Sequence, residues 1–163
     1  MYILAIICSA LLLAADQFTK YYIVQNMPLN SEAEFIEGFL SFHYIHNTGG
    51  AWGFMQNHTW ILLSLSVIAM LICLAFLLKT KANDKVLFWA LCLVMSGGIG
   101  NMIDRFLRGG KVVDFLVFEF YKEFPRFNVA DCAICVGAAL LVIYFIKDFI
   151  TTAKHDKEIE KSA

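Results

Sequence analysis

Uncharged apolar runs alternate with short polar connections throughout this chain. Residues 58–78 contain no Asp, Glu, Lys or Arg, and neither do residues 86–103. At 1.5 Å of rise per residue, runs of about 18–21 residues reach roughly 27–32 Å, the thickness of a hydrocarbon core. Two more apolar stretches carry charge near one end: the first holds Asp16 and Lys20, and the last begins at Asp131. The pattern predicts four membrane helices, at about 2–24, 59–79, 86–105 and 129–149. They form one domain over 1–163, with a flexible tail of mixed charge from 151 to 163. The first fifteen residues look like the apolar core of a secretory signal. No basic residue precedes them, however, and the run continues into Asp16-Gln17-Phe18-Thr19-Lys20, so a retained first helix is expected.

The connections carry the polar information. Residues 25–57 contain Pro28, the acidic group Glu32, Glu34 and Glu37, and a turn at Gly49-Gly50. Within them, Phe39-Leu40-Ser41-Phe42-His43-Tyr44-Ile45-His46 has the aromatic and β-branched content of a strand or hairpin. Residues 106–128 open with Gly109-Gly110 and continue through Phe115, Phe118, Phe120, Tyr121, Phe124 and Phe127. Aromatic residues favour the membrane–water boundary. Asp114 is therefore expected on a loop at the outer surface, and Asp131 at the outer start of the fourth helix. The link Lys79–Lys85 and the C-terminal tail together carry seven basic residues, and the positive-inside rule puts both on the cytoplasmic side. The 105–130 connection opposes them with five (Arg105, Arg108, Lys111, Lys122, Arg126). Both termini are expected inside.

Composition fits an all-α integral membrane protein: 60% of residues are hydrophobic and mean hydropathy is +0.66, where soluble domains run at about 45–50% apolar. The net charge of −1 and the lack of a basic patch give no sign of a nucleic-acid partner. The five cysteines (Cys8, Cys73, Cys92, Cys132, Cys135) lie in apolar runs and read as packing residues. His43, His46 and His58 show no His-Glu-x-x-His spacing, so no metal is expected.

Asp114 lies between Val112-Val113 and Phe115-Leu116, with no local partner, where an ionised carboxylate loses hydration. Asp131 sits at a helix start, where the dipole alone would favour it. Two such carboxylates brought together cannot both ionise easily, and a shared proton is what water-activating aspartic catalysis requires. Asn128, three residues before Asp131, can cap the helix or orient the carboxylate. Asp16 and Lys20, four apart, can pair within the first helix and stitch it to its neighbours. Asn101, Asp104 and Arg105 share the outer end of the third helix, after Gly97-Gly98-x-Gly100, small residues that allow close helix approach.

Taken in order, Asp16-Gln17-x-Thr19-Lys20, Asn47-Thr48-Gly49-Gly50-Ala51-Trp52, Gly100-Asn101-x-x-Asp104-Arg105, Val112-Val113-Asp114-Phe115 and Phe127-Asn128-x-Ala130-Asp131 resemble the motif blocks of the lipoprotein (type II) signal peptidases. The likeness covers essentially the whole chain. It departs at Gly50, where the family usually has alanine. The resemblance implies a monomeric peptidase of the bacterial inner membrane that acts near the extracytoplasmic face without metal or cofactor. Its substrates would be diacylglyceryl-modified prolipoproteins, cut just before the lipid-bearing cysteine. It implies a small β-cradle between helices one and two, and an interfacial loop or helix. It further implies that Asp114 and Asp131 are a catalytic dyad, with Asn47, Gly49, Asn101, Arg105, Asn128 and Ala130 lining or supporting the site. Asp16 and Lys20 would be supportive, and Asp104 would position Arg105. The rival reading of the same carboxylates is a proton-coupled transporter, which usually places such groups near the midplane of repeated halves.

Overall fold

The computed structural model describes residues 2–80 and 84–162. Its elements run α1 (Tyr2–Asn26), β1 (Glu32–Ile36), β2 (Leu40–Asn47), a single 3-10 turn (Ala51–Gly53), α2 (Thr59–Lys79), α3 (Lys85–Leu107), β3 (Val112–Phe118) and α4 (Val129–Ser162). Four stretches are long and apolar enough to cross a membrane: Tyr2–Asn26, Thr59–Lys79, Lys85–Leu107 and Val129–Lys154. The expected helices are all present. The fourth runs on well past 149, so that the segment from 151 expected to be a flexible tail is helical to Ser162. Lys147, Lys154 and Lys157, interleaved with apolar and helix-favouring residues, continue the helical turn beyond the apolar run. The middle of the short basic link, residues 81–83, lies outside the described residues.

The helices bury themselves unequally. α3 packs against α1, α2 and α4, and 56% of its spanning window is buried, against 6% for α2. The composition of each helix follows from that placement. α2 is apolar all round, with a mean hydropathy of 3.0, because almost its whole circumference faces outward. α3 instead carries small and polar residues, Ser96, Gly97, Gly98, Gly100, Asn101 and Asp104, on faces that touch protein. Gly97 shows why. A β-carbon there would collide with the Ala130 carbonyl oxygen and would lie 2.8 Å from the Ile134 side chain.

The strands form one antiparallel sheet in the order β1-β2-β3. Leu40 pairs with Phe118 and Asn47 with Val112, with a bulge between Phe42 and Ile45. Ile23 of α1, Tyr44 of β2, and Val113 and Phe115 of β3 form the apolar core that seats the sheet on α1. The sequence reading placed Asp114 on a surface loop; it lies inside β3, opposite Ile45, and is 2% exposed. Val112–Phe118 becomes a strand because residues 40–47, far away in sequence, supply its hydrogen-bond partners. α3 reaches that strand through a Schellman-type ending: Gly109 takes φ +61° and the Gly110 amide donates to the Arg105 carbonyl (2.7 Å).

Replacing Gly97 with leucine should push α3 and α4 apart and cost about 1–3 kcal/mol or more. Thermal unfolding of the purified protein in detergent should show the loss as a lowered Tm. An unchanged Tm would contradict the close packing described.

Candidate active site

Lys20 is the starting point because it is fully buried and still fully bonded. Its ammonium lies 3.0 Å from Asp16 Oδ2 and 3.3 Å from Asp104 Oδ2, and it donates to Asn101 Oδ1 at 2.9 Å. Three donors meet three acceptors. The carboxylates extend the network outward. Asp16 Oδ1 accepts from the Ala130 amide of α4 (2.9 Å), and Asp104 Oδ2 from the Val113 amide of β3 (3.0 Å). Asp104 Oδ1 takes Arg108 (3.2 Å). The intrahelical Asp16–Lys20 pair expected from the sequence thus exists, and it ties α1 to α3 and α4 directly and to β3 through Asp104.

Asn101 turns this network toward the second pair of carboxylates. Its Oδ1 receives Lys20, so its Nδ2 is free to donate to Asp131 Oδ1 (2.8 Å). Asn128 and Asp131 complete a reciprocal cap at the start of α4: the Asp131 amide donates to Asn128 Oδ1 (3.0 Å), and the Asn128 amide donates to Asp131 Oδ2 (3.1 Å). Asn128 thus caps α4, one of the two roles the sequence offered it beside Asp131, and its Nδ2 also donates to Asp114 Oδ1 (2.7 Å). The other oxygen of Asp114 accepts Asn47 Nδ2 (2.8 Å), while Asn47 Oδ1 is held by the Gly49 amide (2.8 Å).

Asp114 and Asp131 line one cavity of about 450 Å³. Asn47, Asn101 and Arg105 supply further polar groups, and Trp52, Phe118, Phe124, Phe127 and Ile134 make most of the remaining wall apolar. Such a wall strips water from Asp114. Burial, then the nearby Asp131 charge, push its carboxyl up to about 7, against the lowering effect of the Asn47 and Asn128 bonds. A carboxyl with that affinity shares a proton near neutral pH.

The candidate residues assort as follows. Asp114, Asp131, Asn47, Gly49, Asn101 and Arg105 all border the cavity. Asn128 and Ala130 sit behind it, and Asp16, Lys20 and Asp104 are fully buried. The expectation that Asp104 positions Arg105 fails. The Asp104 hydrogen bonds go to Arg108 and the Val113 amide, whereas the Arg105 guanidinium donates to the carbonyls of Asn101 (3.4 Å) and Gly49 (3.2 Å). One residue along a helix turns the side chain by about 100°, so neighbours 104 and 105 serve different faces. Cys132 and Cys135 also depart from expectation: both are exposed on the cavity wall rather than packed. Gln17, to which the resemblance assigns no role, donates to Asp16 Oδ2 (3.0 Å) and the Gly100 carbonyl (3.1 Å). Its position next to Asp16 was the available signal. Arg126, which borders the cavity, left no sequence signal at all.

Four spanning helices, a small extramembrane sheet and this cavity define a class that the comparisons name. A family model described as signal peptidase (SPase) II matches residues 8–147. A lipoprotein signal peptidase of Symbiobacterium thermophilum is 40% identical over 146 residues, covering 88% of this chain and 94% of its own. One from Enterococcus faecalis is 42% identical over 143 residues, covering 86% of each. A solved bacterial membrane enzyme, 31% identical, matches with a TM-score of 0.82 over 89% of this chain and 88% of its own. Fold and matches together make this an integral membrane peptidase. The chain belongs to the signal peptidase II family.

Two predictions follow from the packing. Lys20→Met leaves Asp16 and Asp104 buried without their cation and should cost about 3–5 kcal/mol. Adding Asp16→Asn should recover part of that loss in thermal unfolding, which simple loss of packing would not allow. At the departure from the family pattern, a β-carbon on Gly50 would come no nearer than 3.6 Å to Phe54 O, whereas one on Gly49 would lie 2.9 Å from the same atom. Gly50→Ala should therefore keep peptidase activity within about twofold, a free-energy change of roughly 0.4 kcal/mol. Gly49→Ala should lose much more.

Proposed function

We propose that this protein is an aspartic endopeptidase that removes signal peptides from diacylglyceryl-modified prolipoproteins. The observation that carries the reading is the single cavity in which two carboxylates, each held by asparagine amides, face an otherwise apolar wall. Asp114 and Asp131 form the dyad, with Asn47, Asn101 and Asn128 positioning them and Arg105 bordering the same space. Asp16, Lys20 and Asp104 act as the scaffold, with Gly49 and Ala130 giving close backbone approach. No cofactor is invoked, and the protein works as a monomer in the bacterial inner membrane, with both termini cytoplasmic and the cavity toward the extracytoplasmic face.

The mechanism is general acid–base hydrolysis. The ionised member of the dyad takes a proton from a water whose oxygen adds to the scissile carbonyl carbon. The protonated member gives its proton to the carbonyl oxygen as the tetrahedral species forms. On collapse, one hydroxyl of the tetrahedral species returns its proton to the aspartate that had protonated the carbonyl oxygen, and the C–N bond breaks. The departing nitrogen takes the proton the other aspartate had gained from water, so that the dyad again holds one proton. The products are the carboxyl end of the signal peptide and the free amine of the lipidated cysteine. The pair titrates as a unit, so the proton belongs to both. A site at the end of the spanning helices suits a substrate whose acyl chains stay in the bilayer.

Asp114→Asn and Asp131→Asn should each lower cleavage of a diacylglyceryl-modified precursor by at least about 10²–10⁴-fold; near-wild-type processing by either would end the dyad reading. The proton that Asp114 holds up to about 7 is essential in this scheme. kcat/KM should therefore fall as pH rises through about 7, and a rate still climbing at pH 8–9 would oppose the scheme.

A further inference from the structure

A second cleft, of about 330 Å³, opens on the sheet beside the candidate active site, bordered by Glu32, Glu34, His43, Glu119, Lys122 and Arg126. Arg126 borders both spaces. We propose that this cleft seats the polypeptide just beyond the cleavage point, and that Arg126 selects acidic side chains there. The proposal rests on the peptidase reading above and adds a specificity determinant to it.

The geometry of β3 sets the reach. Asp114 lies near its start, and Val117 and Glu119 border the cleft at its far end. An extended chain rises about 3.3 Å per residue, so three residues cover roughly 10 Å. Asp114 and Val117 project from opposite faces of the strand and Arg126 borders the space on each, so a substrate cut beside Asp114 and leaving round the strand would bring its second and third residues after the lipidated cysteine past Arg126. The signal peptide, being apolar, belongs instead against Ile134, Cys132 and Cys135 on α4, at the other side of the cavity.

The charges around Arg126 leave it available. Glu119 is occupied by Lys122 (3.2 Å). Arg126 donates through Nε and Nη2 to one neutral acceptor, His43 Nδ1, at 3.1 and 3.0 Å. That nitrogen also lies 3.1 Å from Glu32 Oε1. It cannot accept from Arg126 and donate to Glu32 at once. A substrate carboxylate would offer the guanidinium a charge-assisted, two-pronged bond in place of a neutral one. His43 would then be released to carry its proton toward Glu32, so that both partners stay bonded after the exchange.

The test uses the full-length enzyme in mixed micelles and diacylglyceryl-modified precursors that differ only at those two positions: Asp-Asp, Asn-Asn or Lys-Lys. The Asp precursor should be cleaved with kcat/KM at least about fivefold above the Lys precursor, the size of one partly exposed ion pair, carried mainly by KM. Arg126→Ala should collapse the ratio toward one, and Arg126→Glu should invert it, which misfolding cannot imitate. An unaltered ratio in both variants would overturn the proposal. So would an Arg126 effect equal for all three precursors that scales with the phosphatidylglycerol content of the micelles, which would point to a lipid headgroup. Loss of all three activities in Asp114→Asn keeps this outcome separate from failure of the dyad itself.

Discussion

A lysine with no exposed surface, held between two buried carboxylates, is the constraint from which the rest of the site is built. Burying three charges is costly, and such a cluster survives only where every donor and acceptor is used. Here the ammonium's three bonds go to Asp16, Asp104 and Asn101, Asp16 Oδ1 takes the Ala130 amide, and Asp104 takes the Val113 amide at Oδ2 and Arg108 at Oδ1. Those bonds fix α4 and β3, the two elements that bear Asp131 and Asp114, against the α1–α3 pair. The close approach of α3 to α4 at Gly97 gives the bonds their reach.

The same lysine sets the direction of hydrogen bonds further out. An ammonium can only donate, so the end of Asn101 that meets it must be oxygen, and the amide nitrogen must face Asp131. Asn128 is oriented likewise, because its oxygen receives the Asp131 amide, and Asn47 because its oxygen receives the Gly49 amide. All three asparagines therefore present N–H groups to the carboxylates. The bonds from Asn47 and Asn128 lower the Asp114 carboxyl against the upward push of burial, and a carboxyl held at about 7 can both give and take a proton near neutrality, as the proposed hydrolysis asks.

That poise opposes stability. Asp114 is held up to about 7 in the folded protein, against 3.8 for a free aspartate. Between those values the folded state carries more protons than the unfolded one, so this residue's contribution to stability falls as pH rises across that window. The Lys20 cluster, buried directly behind the cavity and fully paired, supplies rigidity where the proposed dyad cannot. The stabilising carboxylates and those proposed to react are thus separated by one asparagine.

Much of this was legible before any coordinates, and the boundary of legibility is physical. The four spans follow from uncharged length, a property local to each segment. The polar blocks could be recognised because spacing along one helix, such as Asp16 to Lys20 or Asn128 to Asp131, fixes which groups meet. What local spacing could not give was partnership across the fold. Asp114 looked like a loop residue because the strand that pairs with it lies some seventy residues earlier. Asp104 looked like a partner of Arg105 because the two are adjacent, although adjacency on a helix sends side chains apart. Arg126 carried no signal because its role depends on two cavities meeting at one side chain. A residue's importance is readable from sequence when its partners lie within a helical turn, and becomes readable only in three dimensions when they do not. By that measure the scaffold blocks are local words, and the sentence they form, three asparagines presenting their amides to two distant carboxylates, is a property of the fold.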